Sequence, residues 1–427
     1  MKSETISAVV QQVAHAFADE PLLALTFARC YPNTLDTAVQ WEEDGLPFVL
    51  TGDIPAMWLR DAVAQLWPYL PLCREDAGLR ALVAGVIRVQ TRQVLTDPYA
   101  NAFNASPSGA GHAGDLPERH PLVWERKFEL DSLCYPLRLA HGYWQQTADL
   151  EPLSGDFRDA LHRTVEVMRS EQRHAELSAY RFHRPGPVPA TDNLPNQGGG
   201  YPVAVTGLVW SAFRPSDDAC ALNYHIPGNM MAAVELGHLA ELAGVLDEPE
   251  LAIEALILSA EIRAGIERYG TVEHPEFGRM YAYETDGLGQ HVLMDDANVP
   301  SLLAAPYLGY VAADDPTYLN TRRFVLSAAN PYYVSGAFAQ GVGSPHTPRG
   351  HVWPIGLAIA GLTAGTAVER RELLETLTRT TAGTGLMHES FHADDPQVFT
   401  REWFGWANGL FAELVLLQVR AIGKLGA

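Results

Sequence analysis

Leu79-Arg80-Ala81-Leu82-Val83-Ala84-Gly85-Val86-Ile87 decides the fold class. Its apolar residues Leu79, Leu82, Val83, Val86 and Ile87 keep the i, i+3, i+4, i+7, i+8 rhythm of one buried helix face. The rhythm recurs upstream at Val63, Leu66, Trp67 and Leu70. It returns downstream at Ile253, Leu256, Ile257 and Ala260, and again at Leu410, Leu414 and Leu417. Alternating strand patterns are few. The best is Phe48-Val49-Leu50-Thr51, ending at Gly52-Asp53, and a second is expected through Val203 to Trp210. The expectation is an all-α protein.

The connections are long. Residues 97–121, 184–202, 273–300 and 329–354 are rich in Gly, Pro, Asn and Asp. Loops of that length in a compact protein often carry function. A ring of helices whose loops build a pocket at one end suits this layout. No low-complexity linker divides the chain, so residues 1–427 are read as one domain. Gly198-Gly199-Gly200 reads as a surface loop, without the Gly-Lys-Ser/Thr ending of a phosphate-binding loop.

The net charge of −21 argues against nucleic acid as a partner, because such a surface repels phosphate. No stretch reaches the roughly 18 apolar residues of a membrane span. The first twenty residues are amphipathic rather than signal-like. Cys30, Cys73, Cys134 and Cys220 are widely spaced, which suits reduced thiols and a cytoplasmic location. Several tryptophans stand beside charges: Trp58 before Arg60-Asp61, Trp124 before Glu125-Arg126-Lys127, and Trp403 after Arg401-Glu402. Such pairs suit sugar rings, with their apolar faces and polar rims, and equally suit amphipathic residues at a core edge.

Two carboxyl groups facing one sugar from opposite sides can break a glycosidic bond with inversion. One protonates the departing oxygen and the other activates water. The first must stay protonated, through burial or a neighbouring negative charge. Asp217-Asp218, in Phe213-Arg214-Pro215-Ser216-Asp217-Asp218-Ala219-Cys220, offers adjacent carboxyls with apolar flanks, and could also be a helix start. Glu389, in Met387-His388-Glu389-Ser390-Phe391-His392, is one acid among apolar and aromatic neighbours, or simply a capping or surface residue. In Thr51-Gly52-Asp53-Ile54-Pro55-Ala56-Met57-Trp58-Leu59-Arg60-Asp61, the polar groups could hold hydroxyls. They could equally form an Arg60–Asp61 or Arg60–Asp53 ion pair. His388 and His392, four apart, could both bind a metal if they share a helix, but without the zincin spacing His-Glu-x-x-His. The His112/Asp115/His120 loop is a weaker constellation, and Asp295-Asp296 and Asp394-Asp395-Pro396 lack the periodic oxygen ligands of a calcium loop. No Gly-x-Ser-x-Gly elbow is present.

These stretches resemble the signatures of glycoside hydrolase family 125: the Thr51–Asp61 run, Trp124–Lys127 with Asp131–Pro136, and Trp210–Asp218. So do Met294–Asp296 with Asn298–Tyr310, Met387–His392 and Arg401–Phe404. The resemblance runs from about Tyr31 to Leu416. It implies an (α/α)6 barrel with a few short strands at the pocket, and an exo-acting α-1,6-mannosidase that inverts and needs neither metal nor other cofactor. The substrate would be a glycan ending in α-1,6-mannose. The family's acid falls on Asp217 and its base on Glu389. Asp53, Trp58, Arg60, Asp61, Arg214, Asn229, His346, Trp353 and Arg401 become candidates for the sugar pocket. Gly228 and the stretch from His346 to Trp353 depart from the family's pattern, which bears on leaving-group preference. The rival readings are another toroidal sugar enzyme, such as a different exo-glycosidase, an epimerase or a calcium-dependent mannosidase, and a carbohydrate-binding protein without turnover.

Overall fold

The computed structural model describes residues 3–421 and 423. Its helices sort into two kinds by burial. Leu59–Leu66 is buried at every position, and Pro354–Leu362 at all but its last. Ile226–Val245 and Gly405–Ala421 bury most of their residues. Helices buried on nearly all sides form the inner layer, Leu59–Leu66 even with Arg60, Asp61 and Gln65 among its buried residues. Ala77–Thr96, Asp156–Glu171, Pro249–Tyr269 and Ala367–Arg379 each bury a stripe and leave the remainder to water.

The buried helices pack in succession. Gly405–Ala421 lies against Leu59–Leu66, which lies against Leu130–Thr147, which lies against Ile226–Val245. Pro354–Leu362 returns to Gly405–Ala421. The outer helices pack onto this ring and onto one another, so the layers are those of an (α/α)6 barrel.

One inner place is irregular. Residues 301–310 are a chain of turns, not a helix, yet Leu302, Leu303, Ala304, Ala305 and Leu308 are buried. Tyr307 of this segment donates to Glu413 of one inner helix and receives the Arg138 guanidinium of another on its ring. Pro300, Pro306 and the left-handed Gly309 oppose a continuous helix here. The buried Asp295 carboxylate accepts the Leu302 and Leu303 N–H groups, satisfying donors that a helix would have used otherwise.

Short strands feed the inner helices. Met57–Trp58 runs into Leu59–Leu66, Tyr224–His225 into Ile226–Val245, and His351–Val352 leads through Trp353 into Pro354–Leu362. Each lies in a small antiparallel sheet built from the long loops. These sheets hold the N-terminal ends of the inner helices, where free N–H groups and the helix dipoles favour negative charge.

Some sequence expectations need correcting. The helix Pro249–Tyr269 forms, but Ile253, Leu256 and Ile257 are exposed. Its buried stripe is Leu251, Ala255, Leu258, Ile262 and Ile266. Both sets keep helical spacing, and the packing against Ile226–Val245 selects the second. Val203 to Trp210 is irregular rather than a strand. The Phe48 strand is Pro47–Val49, paired with Val39–Trp41. The stripe from Val63 to Leu70 passes from α-helix into a 3₁₀ turn at Trp67, beside Pro68 and Pro71.

This facing has a measurable consequence. Leu258→Ala should cost about 2–5 kcal/mol by opening a core cavity, whereas Leu256→Ser should stay within about 0.5 kcal/mol of wild type. Urea unfolding midpoints of the two variants separate these outcomes.

Candidate active site

A cavity of about 270 Å³ opens at the strand-bearing end of the barrel. Asp217 and Glu389 both line it, although 172 residues separate them. Trp58, Arg60, Asp61, His346, Trp353 and Arg401 line it as well. Trp58, Trp353 and Phe404 directly precede inner helices, and Arg60, Asp61 and Trp406 lie in the first turns of such helices. The cavity is therefore ringed by helix N-termini, which suits a crowd of carboxylates.

Asp217 is not at a helix start. It sits in a tight turn closed by Asp217 N–H donating to Arg214 C=O (2.9 Å) and Arg214 N–H donating to Asp218 C=O (2.8 Å). Its backbone is left-handed, with φ 64°. Asp tolerates that region better than most residues, and the position still carries strain. Lys127 fixes the turn by donating to the Asp217 carbonyl at 2.7 Å. The two adjacent carboxyls part company. Asp217 faces the cavity with a quarter of its side chain exposed, whereas Asp218 turns toward Ser216 and His346. Asp218 does not line the cavity.

The wall behind Asp217 is built around Arg60. Its guanidinium meets Glu129 at 2.5 Å and Asp131 at 3.0 Å, and lies 3.6 Å from both Asp61 and Asp217. The Asn101 amide donates to Glu125 (3.0 Å), Glu129 (3.2 Å) and Asp217 (3.1 Å). Four carboxyls thus surround one buried cation. Burial raises the Glu129 carboxyl well above its usual range. Arg60 opposes this rise, and the charge of Asp217 and a hydrogen bond to it add to it. Asp217 moves the other way. Burial opposes its ionisation, but the Glu129 hydrogen bond, Arg60 and Lys127 outweigh burial and hold the carboxylate low. The neighbour that perturbs Asp217 is thus Glu129, and not Asp218 as the sequence suggests. Asp218 is itself raised, by burial first and then by Asp296.

On the other wall, Glu389 faces Arg401 at 3.7 Å. Arg401 also donates to Thr51 C=O (3.0 Å) and to Asp53, and lies against the Phe404 ring. Gly52 makes this clamp possible, since a Cβ there would stand 2.6 Å from Arg401 Nη2.

Three expected pocket residues stand elsewhere. Asp53 is mostly exposed, off the cavity wall, and pairs with Arg401 rather than with Arg60. Arg214 is buried behind the turn, donating to Glu284 at 2.6 Å. Glu284 in turn accepts the Ala221 and Leu222 N–H groups. Asn229 is fully buried in its helix, its amide tied to the Val209 backbone and to His225 C=O. Neither Arg214 nor Asn229 lines the cavity, so both shape the scaffold. Gly228 packs on His225, where a Cβ would meet Nδ1 at 2.9 Å. Conversely, Thr51, Ile54, Pro215, Ser216, Asn298, Phe404 and Trp406 line the cavity without having been singled out. Most fall inside the motif stretches, whose length is the signal that could have found them. His388 and His392 do not share a helix: His388 stacks on Phe399, and His392 ends a strand. Among the described residues, no group of three or more His, Cys, Asp or Glu is placed to hold a metal ion.

The cluster makes two predictions. Arg60→Lys should cost about 3 kcal/mol or more in stability, because one ammonium cannot span what the planar guanidinium spans. A calorimetric melt reads this. Asp61, raised from 3.8 to about 6 chiefly by burial, folds more favourably when neutral. The stability gained from its neutral form is full below about pH 4 and is lost as pH rises through about 6. Asp61→Asn should therefore gain stability over wild type at pH 8, by up to about 2–3 kcal/mol. That gain should shrink toward pH 5 in paired melts.

The chain matches the family model for metal-independent alpha-mannosidases, glycoside hydrolase family 125, over residues 20–416. It is 46% identical to a Streptococcus pneumoniae protein solved in a non-productive substrate complex with alpha-1,6-mannobiose. The TM-score is 0.95, covering 98% of this chain and 99% of that one. It is also 41% identical to the Meiotically up-regulated gene 157 protein of Schizosaccharomyces pombe, over 97% of this chain and 85% of that protein. The glucoamylase of Saccharomycopsis fibuligera shares only 12% identity, with a TM-score of 0.60 over 95% of this chain and 96% of that one, and so shares the barrel alone. Sequence and fold thus agree, and the chain belongs to the metal-independent alpha-mannosidases of glycoside hydrolase family 125.

Proposed function

We propose that this protein removes terminal non-reducing α-1,6-linked mannose by single displacement, with Asp217 as general acid and Glu389 as general base. The observation that carries this reading is that these two carboxyls, from distant loops, line one small cavity. Water activated by Glu389 attacks the anomeric carbon. Asp217 gives a proton to the departing oxygen, and the sugar inverts to β-mannose. Arg401 stands 3.7 Å from Glu389, on the wall opposite Asp217.

Exo action follows from size. At about 270 Å³ the cavity is slightly smaller than the roughly 300–1,000 Å³ common for ligand sites. That suits one sugar ring rather than an internal stretch of chain. Asp61, His346 and Arg401 offer polar groups to its hydroxyls, and Trp58 and Trp353 offer apolar surface to its faces. The α-1,6 linkage is carried over from the mannobiose bound to the Streptococcus pneumoniae relative. We read the chain as a single catalytic domain, because one apolar core runs from Ile6 to Val419. Its four cysteines are buried and unpaired, which supports a reducing, cytoplasmic setting. No helix among the described residues is long and apolar enough to cross a membrane.

Incubation with α-1,6-mannobiose in excess chelator, followed by proton NMR, should show β-mannose as the first-formed anomer. Early α-mannose would overturn inversion, and loss of activity in chelator would point to calcium-dependent chemistry. Asp217→Asn and Glu389→Gln should each lower kcat by about 10²–10⁴-fold. Near wild-type turnover in either would remove that residue from its role.

A further inference from the structure

Resting on the reading of Asp217 as the acid, a second carboxyl stands directly behind it, in a wall where Arg60 and Lys127 favour the charged form of Asp217. Glu129 is fully buried, and Asn101 Nδ2 bridges it to Asp217 at 3.2 and 3.1 Å. Arg60 spans the same pair, with Nη1 at 2.5 Å from Glu129 and Nη2 at 3.6 Å from Asp217. Ser132 Oγ also reaches Glu129, at 3.3 Å. The charged and titratable groups around the pair are Arg60 and Asp61 from one inner helix, Asp131 from the next, and Glu125 and Lys127 from the strand side. Asp192, Asp218, His346 and the Cys220 thiol complete the set from the loops. Acids outnumber bases in this set, so a buried cluster of this kind must retain protons.

We infer that Glu129 is a positioning residue that stores the catalytic proton, and that Glu129 and Asp217 act as one single-proton pair on the leaving-group side of the cavity. Glu129 never touches substrate. Its proton crosses to Asp217, which delivers it to the glycosidic oxygen as the C–O bond breaks, leaving both carboxyls ionised against Arg60 and Asn101. Glu389 takes one proton from the attacking water, whose hydroxyl goes to the anomeric carbon. Glu389 then returns its proton to solvent and the pair takes one up, so one water is consumed and no net charge is left behind. The apparent acid of the pH profile is then the pair and not Asp217 alone.

The test compares two substrates. α-1,6-Mannobiose needs a proton on its leaving oxygen, whereas α-mannosyl fluoride expels fluoride without one. With Glu129→Gln, turnover of mannobiose at neutral pH should fall about tenfold or more, within the range of general-acid effects. The alkaline limb of its kcat profile should move to lower pH with KM little changed, and turnover of the fluoride should be largely kept. Equal loss on both substrates, or an unmoved alkaline limb, would overturn the inference and leave Glu129 a structural residue. Asp217→Asn run alongside separates the two readings. If that variant shows no preference for the fluoride, the acid assignment itself is wrong. Should Glu129→Gln fail to fold, Glu129→Asp takes its place, keeping a titratable carboxyl drawn back by one methylene. A shifted alkaline limb with fluoride turnover retained supports the pair, and an unshifted limb overturns it.

Discussion

The Arg60 guanidinium is the constraint on which the site depends. It lies buried in the first turn of an inner helix and reaches four carboxyls from three stretches of the chain: Asp61, Glu129 with Asp131, and Asp217. A buried cation without partners is costly, and so are four carboxylates without a cation. Each therefore holds the other in place. The geometry works because a guanidinium offers several donors in one plane. Asn101 then ties the same carboxyls from a second direction. The loop carrying Asp217 is held at its carbonyl by Lys127 and at its base by the Arg214–Glu284 pair. The position of Asp217 is thus set by buried electrostatics reaching well beyond the cavity wall.

The barrel explains why such a cluster is tolerated. Inner helices begin at the cavity and run away from it, so their positive ends face the carboxyls. The small sheets fix where each helix starts. The cost of the irregular 301–310 segment is met in the same manner, with Asp295 taking up N–H groups that would otherwise be orphaned.

Much of this is legible in the sequence. Helical periodicity gives the layer, since apolar spacing at 3.6 residues is a local property. It does not give the facing of Pro249–Tyr269, because Ile253, Leu256 and Ile257 are as regular as the stripe that is buried, and only the neighbouring helix chooses between them. The acidic motifs give Asp217 and Glu389, and the motif around Trp58 gives one wall. Glu129 is hidden, because an acid just before a helix reads as an ordinary cap, and its distinguishing feature is the company it keeps in space. Arg214 and Asn229 fail as pocket residues for the converse reason. Polar residues inside a long motif can serve the backbone as readily as a ligand, and hydrogen-bond accounting decides which.

The left-handed backbone at Asp217 has an evolutionary consequence. Aspartate and asparagine are among the few non-glycine side chains that visit that region readily. A change to asparagine there meets little conformational resistance and leaves the cavity, Arg60 and Lys127 in place. On the role proposed for Asp217, a lineage could therefore weaken turnover by one substitution and still keep its fold, its cavity and most of its motifs.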